Sequence, residues 1–179
     1  MIEALAFCLV GAGALALITL ISVLTLAEFY ELMRASGYQP FLKLGLVAGA
    51  IITIAPAFAA HIPFPIHTLL PLVAVVMAIR LLGERTPENR METLAATLFG
   101  LVYVPLMLQY LVRIVTPLPG DAITANGRML LCLWLVATTK FCDVGALLSG
   151  MAFGRHKMSP VISPKKTWEG AVGGVLVSA

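Results

Sequence analysis

Long apolar runs alternate with short polar segments along this chain, and the alternation predicts membrane-spanning helices. A span needs roughly 20 predominantly apolar residues, and five such runs can be drawn. They lie at residues 5–27, 42–60, 66–82, 93–115 and 129–153. Glycine and proline, which favour turns, occur in the short connections. The pattern therefore predicts an all-α, polytopic transmembrane helix bundle in which residues 1–179 form a single integral-membrane domain.

The last apolar run is shorter than the others. Residues 170–179 would form about 15 Å of helix, which is half the thickness of a hydrocarbon core. A helix that ended there would leave its last carbonyl groups without partners inside the bilayer. We therefore expect five full spans plus the start of a sixth, in a chain truncated at its C-terminus.

The charged residues are few and unevenly placed. They make up 12% of the chain, against about 25% in soluble domains. Nine of the twelve Lys and Arg flank the first, third and fifth loops, and two flank the fourth. By the positive-inside rule, the odd-numbered loops face the cytosol and the N-terminus lies outside. The net charge of +3 thus reflects topology, and we expect membrane lipids as partners and no nucleic acid. The nine are Arg34, Lys43, Arg80, Arg85, Arg90, Arg155, Lys157, Lys165 and Lys166.

The fifth loop, GRHKMSPVISPKKTWEGAVGG, places two lysines side by side where a helix is predicted to begin. Ser163 followed by Pro164 is typical of an N-cap with proline at the first helical position. Lys165 and Lys166 would then lie in the first turn, where the helix dipole disfavours cations unless an anion binds between them. Free amides and two ammonium groups would make a phosphate site. Alternatively, the lysines only contact lipid headgroups, and the residues alone favour neither interpretation.

Gly170 and Gly174 have the small-xxx-small spacing of closely packed membrane helices. We expect these glycines to pack against a neighbouring helix rather than to contact a ligand. Near the other end of the chain, EFYELMRASGYQP is amphipathic. We expect it to lie at the membrane interface, with its tyrosines at headgroup depth.

Lys140 and Asp143 lie three residues apart on one face of the fifth predicted span. Ionisable residues in a span are costly, and they usually face a partner, a cavity or an ion. One interpretation is a mutual salt bridge that fixes the helix orientation. The other is a carboxylate that binds a metal or relays protons, and a relay would make the protein a membrane transporter. A metal such as Mg²⁺ would need further oxygen ligands from elsewhere, because it takes about six.

The stretch DVGALLSGMAFGRHKMSPVISPKKTWEGAVGG strongly resembles the phosphatidate cytidylyltransferase (CDP-diacylglycerol synthase) family, and EFYELMRASGYQP resembles that family's early region. The resemblance covers most of the chain. It implies a bacterial inner-membrane nucleotidyltransferase that joins CTP to phosphatidic acid, giving CDP-diacylglycerol and pyrophosphate in phospholipid biosynthesis with Mg²⁺. It implies catalytic roles for Asp143, Lys165 and Lys166, with Asp143 also binding the metal. The substrate-binding residues it implies are Lys157, Ser163, Thr167 and Glu169.

Two departures from the family pattern are visible. Val144 and Leu147 stand where members often have a hydroxyl residue and an aromatic residue. The family's second, C-terminal signature is not among these residues, so the resemblance implies that the 179-residue chain is inactive by itself. The sequence does not determine the oligomeric state, and a homodimer is one state that it leaves open.

Overall fold

The computed structural model describes residues 2–59, 68–83, 90–116, 123–159 and 163–179, and side chains from residue 11 onward except that of residue 125. These residues form seven α-helices, one 3₁₀-helix and one β-hairpin, in two compact units, Met1–Ala125 and Asn126–Ala179. The predicted helical membrane fold is confirmed, with the hairpin as an addition. The elements are α1 (Ile2–Ala35), α2 (Leu42–Ile54), a 3₁₀-helix (Ala55–Phe58), α3 (Leu69–Leu82), α4 (Arg90–Tyr103), α5 (Pro105–Val115), α6 (Ala125–Phe153), β1 (Lys157–Ser159), β2 (Ser163–Thr167) and α7 (Trp168–Ser178).

Three of the predicted spans are helical segments long and apolar enough to cross a membrane. They are Gly11–Ala35, Arg90–Val115 and Asn126–Phe153. The second and third predicted spans are shorter apolar helices, Leu42–Phe58 and Leu69–Leu82. Residue 60 of the second span and residues 66 and 67 of the third lie outside the described part of the chain. The protein is therefore an integral membrane protein, while the count of five full spans stays a prediction.

The fourth predicted span is interrupted at Val104. Pro105 occupies the first position of α5 and has no N–H to donate to the preceding turn, so the helical ladder breaks there. The backbone N–H of Val104 still donates to the Gly100 carbonyl at 3.0 Å, and that of Leu108 to the Val104 carbonyl at 3.0 Å. Helices α4 and α5 therefore follow one another directly, with hydrogen bonds to and from Val104 retained across the junction.

Tyr30 lies in the core of the first unit, while the headgroup depth predicted for the tyrosines of EFYELMRASGYQP stays a prediction. Its side chain is 0% exposed, and its hydroxyl donates to the Thr97 carbonyl at 2.9 Å. Gly45 of α2 and Gly100 of α4 lie against the ring, since a Cβ on either would come within 2.5 Å of a ring carbon. A buried hydroxyl needs an acceptor, and α4 supplies one. The other buried residues of the cluster that contains Tyr30 are Leu26, Ala48, Ile52, Met77, Leu101 and Val104.

In the second unit, α7 packs closely against α6 through glycine. A Cβ on Gly170 would lie 2.8 Å from the Ala146 carbonyl oxygen, and one on Gly174 would lie 2.8 Å from the Cys142 carbonyl oxygen. The predicted packing role of both glycines is confirmed. Because the contacts advance by four residues along α7 while they retreat by four along α6, the two helices are antiparallel.

Candidate functional site

The polar segment that follows α6 folds back as an antiparallel hairpin, and the prediction that a helix begins at Ser163 is wrong. Residues Ser163–Thr167 form β2, and α7 begins at Trp168. Thr167 is the N-cap: its backbone is extended (φ −124°, ψ 153°) and its Oγ1 accepts from the Gly170 N–H at 3.2 Å. Threonine caps nearly as well as serine, and starting the helix at residue 168 leaves β2 free to pair with β1.

The two lysines lie in an irregular part of this hairpin. Lys157 pairs with Thr167 and Ser159 pairs with Ser163, so Met158 alone on β1 faces the three residues 164–166 on β2. Proline is tolerated at such a bulge, because it has no N–H to give to a ladder. Lys165 and Lys166 precede the helix rather than lying in its first turn, and both are exposed. With Lys157 also exposed on the opposite strand, the hairpin presents a cationic surface suited to phosphate.

The base of the hairpin is joined to α7 by a histidine and a glutamate. The backbone N–H of His156 lies 3.2 Å from both carboxylate oxygens of Glu169, and the ring Nδ1 lies 2.6 Å from Oε1. The His156 carbonyl accepts from the Trp168 N–H at 3.0 Å. The hydrogen bond from the histidine side chain, with further backbone hydrogen bonds, lowers the pKa of Glu169 from its ordinary 4.5 to about 2. Glu169 is therefore ionised under all physiological conditions.

An open groove of about 830 Å³ runs beside this junction, within the size range of ligand pockets. Apolar groups line most of it, and the residues at the base of the hairpin add polar groups. Such a lining suits a ligand with an apolar body and a charged end. The lining residues are Ser149, Phe153, His156, Lys157, Trp168, Glu169, Val172, Gly173 and Leu176.

Asp143 lies apart from the hairpin. A Cβ on Gly150 would be 3.2 Å from the Thr167 Oγ1, and Asp143 is seven residues earlier on α6, about 10 Å along the helix axis. Its side chain and that of Lys140 are exposed, and among the described residues no salt bridge joins them. The salt-bridge interpretation is therefore wrong. No group of three or more His, Cys, Asp or Glu within the described ranges could hold a metal ion.

The structure thus brings together six of the seven residues that the sequence singled out. Lys157, Ser163, Lys165, Lys166, Thr167 and Glu169 all lie on the hairpin or in the first turn of α7. Asp143 is not in contact with them. His156 was not among the predicted site residues, because the sequence predicted no hairpin that would bring it to Glu169. Only the hairpin register reveals that they meet.

The whole chain, residues 1–179, matches the model of the cytidylyltransferase family. The chain belongs to the cytidylyltransferase family. No solved structure matches it.

Individual relatives carry a more specific name. The chain is 29% identical to the phosphatidate cytidylyltransferase of Synechocystis sp., with 96% of this chain and 64% of the relative covered. It is 32% identical to the chloroplastic phosphatidate cytidylyltransferase 4 of Arabidopsis thaliana (83% and 43% covered), and 34% identical to the phosphatidate cytidylyltransferase of Mycobacterium bovis (52% and 28% covered). The matched part is thus about a quarter to two thirds of the length of these relatives.

Proposed function

We propose that this cytidylyltransferase transfers a cytidylyl group from CTP to phosphatidic acid, giving CDP-diacylglycerol and pyrophosphate in phospholipid biosynthesis. The observation that carries the proposal is the hairpin, whose exposed Lys157, Lys165 and Lys166 stand beside an apolar groove of about 830 Å³. A cationic surface next to an apolar groove suits phosphates on one side and a lipid on the other. The relatives are named phosphatidate cytidylyltransferases, and this name supports phosphatidic acid as the lipid and a cytidylyl group as the group transferred.

In the proposed reaction, an oxygen of the phosphatidic acid phosphate attacks the α-phosphorus of CTP. A new phosphorus–oxygen bond forms, the bond from the α-phosphorus to the β-phosphate oxygen breaks, and pyrophosphate leaves with that electron pair. Phosphoryl chemistry of this kind depends on positioning and on neutralising charge. We assign charge neutralisation to Lys165 and Lys166, and attraction of the triphosphate or the lipid headgroup to Lys157. Ser163, next to the bulge, would donate a hydrogen bond to phosphate.

We also propose Asp143 as one ligand of Mg²⁺. Its carboxylate is exposed and has no hydrogen bond or ion pair to another described residue. The metal would neutralise phosphate charge, and its remaining oxygen ligands would come from phosphate, water or other parts of the protein. Because Asp143 lies about 10 Å along α6 from the level of Thr167, a bound nucleotide and not a direct contact would link it to the lysines.

We propose that the hairpin faces the cytosol of a bacterial inner membrane and that the N-terminus lies outside, as the distribution of basic residues predicts. A cysteine-free variant with Met158→Cys tests this orientation, because Met158 is 39% exposed on β1. A thiol reagent that does not cross membranes should label the cysteine in inverted vesicles and not in intact cells. Labelling in intact cells would refute the orientation. A homodimer stays a prediction.

The activity is tested with the complete gene product reconstituted with phosphatidic acid, radiolabelled CTP and Mg²⁺. We expect label in the lipid fraction. The double variant Lys165→Ala/Lys166→Ala should lose at least about 100-fold in turnover, since each lost charge contact to phosphate is worth about 1.5–3 kcal/mol. Lys43→Ala, which removes an exposed lysine from α2, is the matched control, and its turnover should be unchanged. Lipid labelling unaffected by the double change would refute the assignment of the lysines.

A further inference from the structure

The His156–Glu169 pair lies where both strands of the hairpin meet α7. We propose that these two residues form a clasp that positions the lysine-bearing hairpin, and that Glu169 acts through His156 rather than by touching substrate. The inference rests on the proposed function only in that the hairpin binds phosphate. It replaces the predicted substrate-binding role of Glu169 and adds His156 to the working parts of the site.

The clasp engages every polar backbone group of His156. Its N–H is 3.2 Å from each oxygen of the Glu169 carboxylate, and its carbonyl oxygen accepts from the Trp168 N–H at 3.0 Å. The ring adds a third link through Nδ1, 2.6 Å from Oε1. One residue before β1 is therefore tied by three groups to the first two residues of α7. Charge-assisted hydrogen bonds of this kind are stronger than neutral ones.

The position of the clasp in the chain explains what it holds. His156 directly precedes Lys157, and Lys157 pairs with Thr167, the N-cap of α7. Helix α7 is itself seated on α6 by the close approach of Gly170 to the Ala146 carbonyl. The clasp therefore connects the closely packed α6–α7 pair to the strand that carries Lys157, and through the strand pairing to the bulge with Lys165 and Lys166. Placing phosphate-binding groups to within a fraction of an ångström has large effects on rate.

The surroundings of Glu169 argue against direct contact with substrate. Its side chain is 26% exposed, whereas that of His156 is 80% exposed. Both carboxylate oxygens already accept hydrogen bonds, and an ionised carboxylate repels phosphate. The neighbouring charged groups are the exposed Arg155 and Lys157, so the carboxylate also offsets part of the positive charge that the hairpin concentrates.

A spectroscopic test examines the clasp without relying on activity. The chain has three histidines, so ¹⁵N-histidine labelling of the complete gene product in micelles gives three pairs of ring-nitrogen signals from these residues. The pair that disappears in His156→Asn belongs to His156. We expect a hydrogen on Nδ1 of His156 at neutral pH, held by Glu169. In Glu169→Ala the ring should return to the Nε2-protonated form that free neutral imidazole prefers. A His156 ring pattern that is the same with and without Glu169 would overturn the proposal.

A kinetic test then asks whether the clasp acts as a unit. We expect Glu169→Ala and His156→Ala each to lower kcat/KM for CTP about tenfold, and the double variant to be no more than about twofold worse than either, because residues that act through each other are non-additive. His156→Asn, whose amide N–H replaces Nδ1–H, should recover to within about threefold of wild type. Glu92→Ala is the matched control, since Glu92 is an exposed acid in the first turn of α4, and it should be unchanged.

The outcomes separate the two proposals. A wild-type protein that forms no lipid-soluble label would contradict the proposed function, while the ring spectrum would still decide the clasp. An active wild type in which the two single losses multiply to about 100-fold in the double variant would overturn the clasp and leave the function standing. Failure of His156→Asn to recover activity would also overturn it.

Discussion

The contact between α7 and α6 depends on a glycine at position 174, and enlarging this residue should destabilise the second unit. A Cβ at Gly174 would lie 2.8 Å from the Cys142 carbonyl oxygen and 3.1 Å from the Ala146 Cβ. Carbon–oxygen contacts are comfortable at about 3.3–3.6 Å, so the helices would have to separate by about half an ångström or more. The obstacle is a backbone carbonyl, which cannot rotate away as a flexible side chain can.

The expected magnitude follows from two opposing effects. Overpacking of this kind costs typically about 1–3 kcal/mol, while alanine in a helix gains about 0.8–1 kcal/mol over glycine. Gly174→Ala should therefore lower the free energy of unfolding by up to about 2 kcal/mol. Gly174→Val should lower it further, because valine adds more atoms and gains less helix propensity. Val175→Ala is the matched control on the same helix: Val175 is 62% exposed, so its truncation should change stability by less than about 0.5 kcal/mol.

The measurement is unfolding in micelles with increasing dodecyl sulfate, followed by tryptophan fluorescence. The two tryptophans of this segment, Trp134 and Trp168, both lie in the second unit, so the signal reports the helix pair that is being changed. We expect the order wild type, then Gly174→Ala, then Gly174→Val in decreasing stability. If Gly174→Val and Val175→Ala unfold at the same dodecyl sulfate concentration, the close approach of the helices does not stabilise this unit.

Three further outcomes are expected. Tyr30→Phe should cost about 1 kcal/mol of unfolding free energy by removing a buried hydrogen bond, whereas Tyr38→Phe, which changes a residue 41% exposed, should cost nothing measurable. Thr167→Val should destabilise the first turn of α7 by about 1 kcal/mol through loss of the N-cap, seen as faster amide exchange there, and Thr167→Ser should not. Because the folded pKa of Glu169 is depressed from 4.5 to about 2, its contribution to stability is fully present above pH 4.5 and is lost as the pH falls toward 2. The backbone amide shift of His156 should follow this loss, and a midpoint near 4.5 would contradict it.

Much of the fold was predictable because it depends on local composition. The long helices follow from runs of apolar residues, since a backbone in lipid must satisfy its own hydrogen bonds within the segment. The packing of Gly170 and Gly174 was also predictable, because four-residue spacing places both on one helical face. The chemical character of the site was visible as well, in the lysines at 157, 165 and 166 and in the family resemblance of the surrounding motif.

Other features were decided by parts of the chain that meet only in three dimensions. Ser163 and Thr167 are both competent N-caps, and the pairing of β2 with β1 selects Thr167. The burial of Tyr30 against protein was not predicted either, and it depends on Gly45 and Gly100, which leave room for its ring in the core. The hydrogen bonds between His156 and Glu169 form because the pairing of β1 with β2 brings the residue before β1 next to the first turn of α7. The sequence by itself determined which long segments are helical and which loop is cationic, because apolar runs and charges act locally. The tertiary structure alone decided which residue caps α7, which ring is buried and which carboxylate binds His156, because each of these depends on a partner far away in the chain.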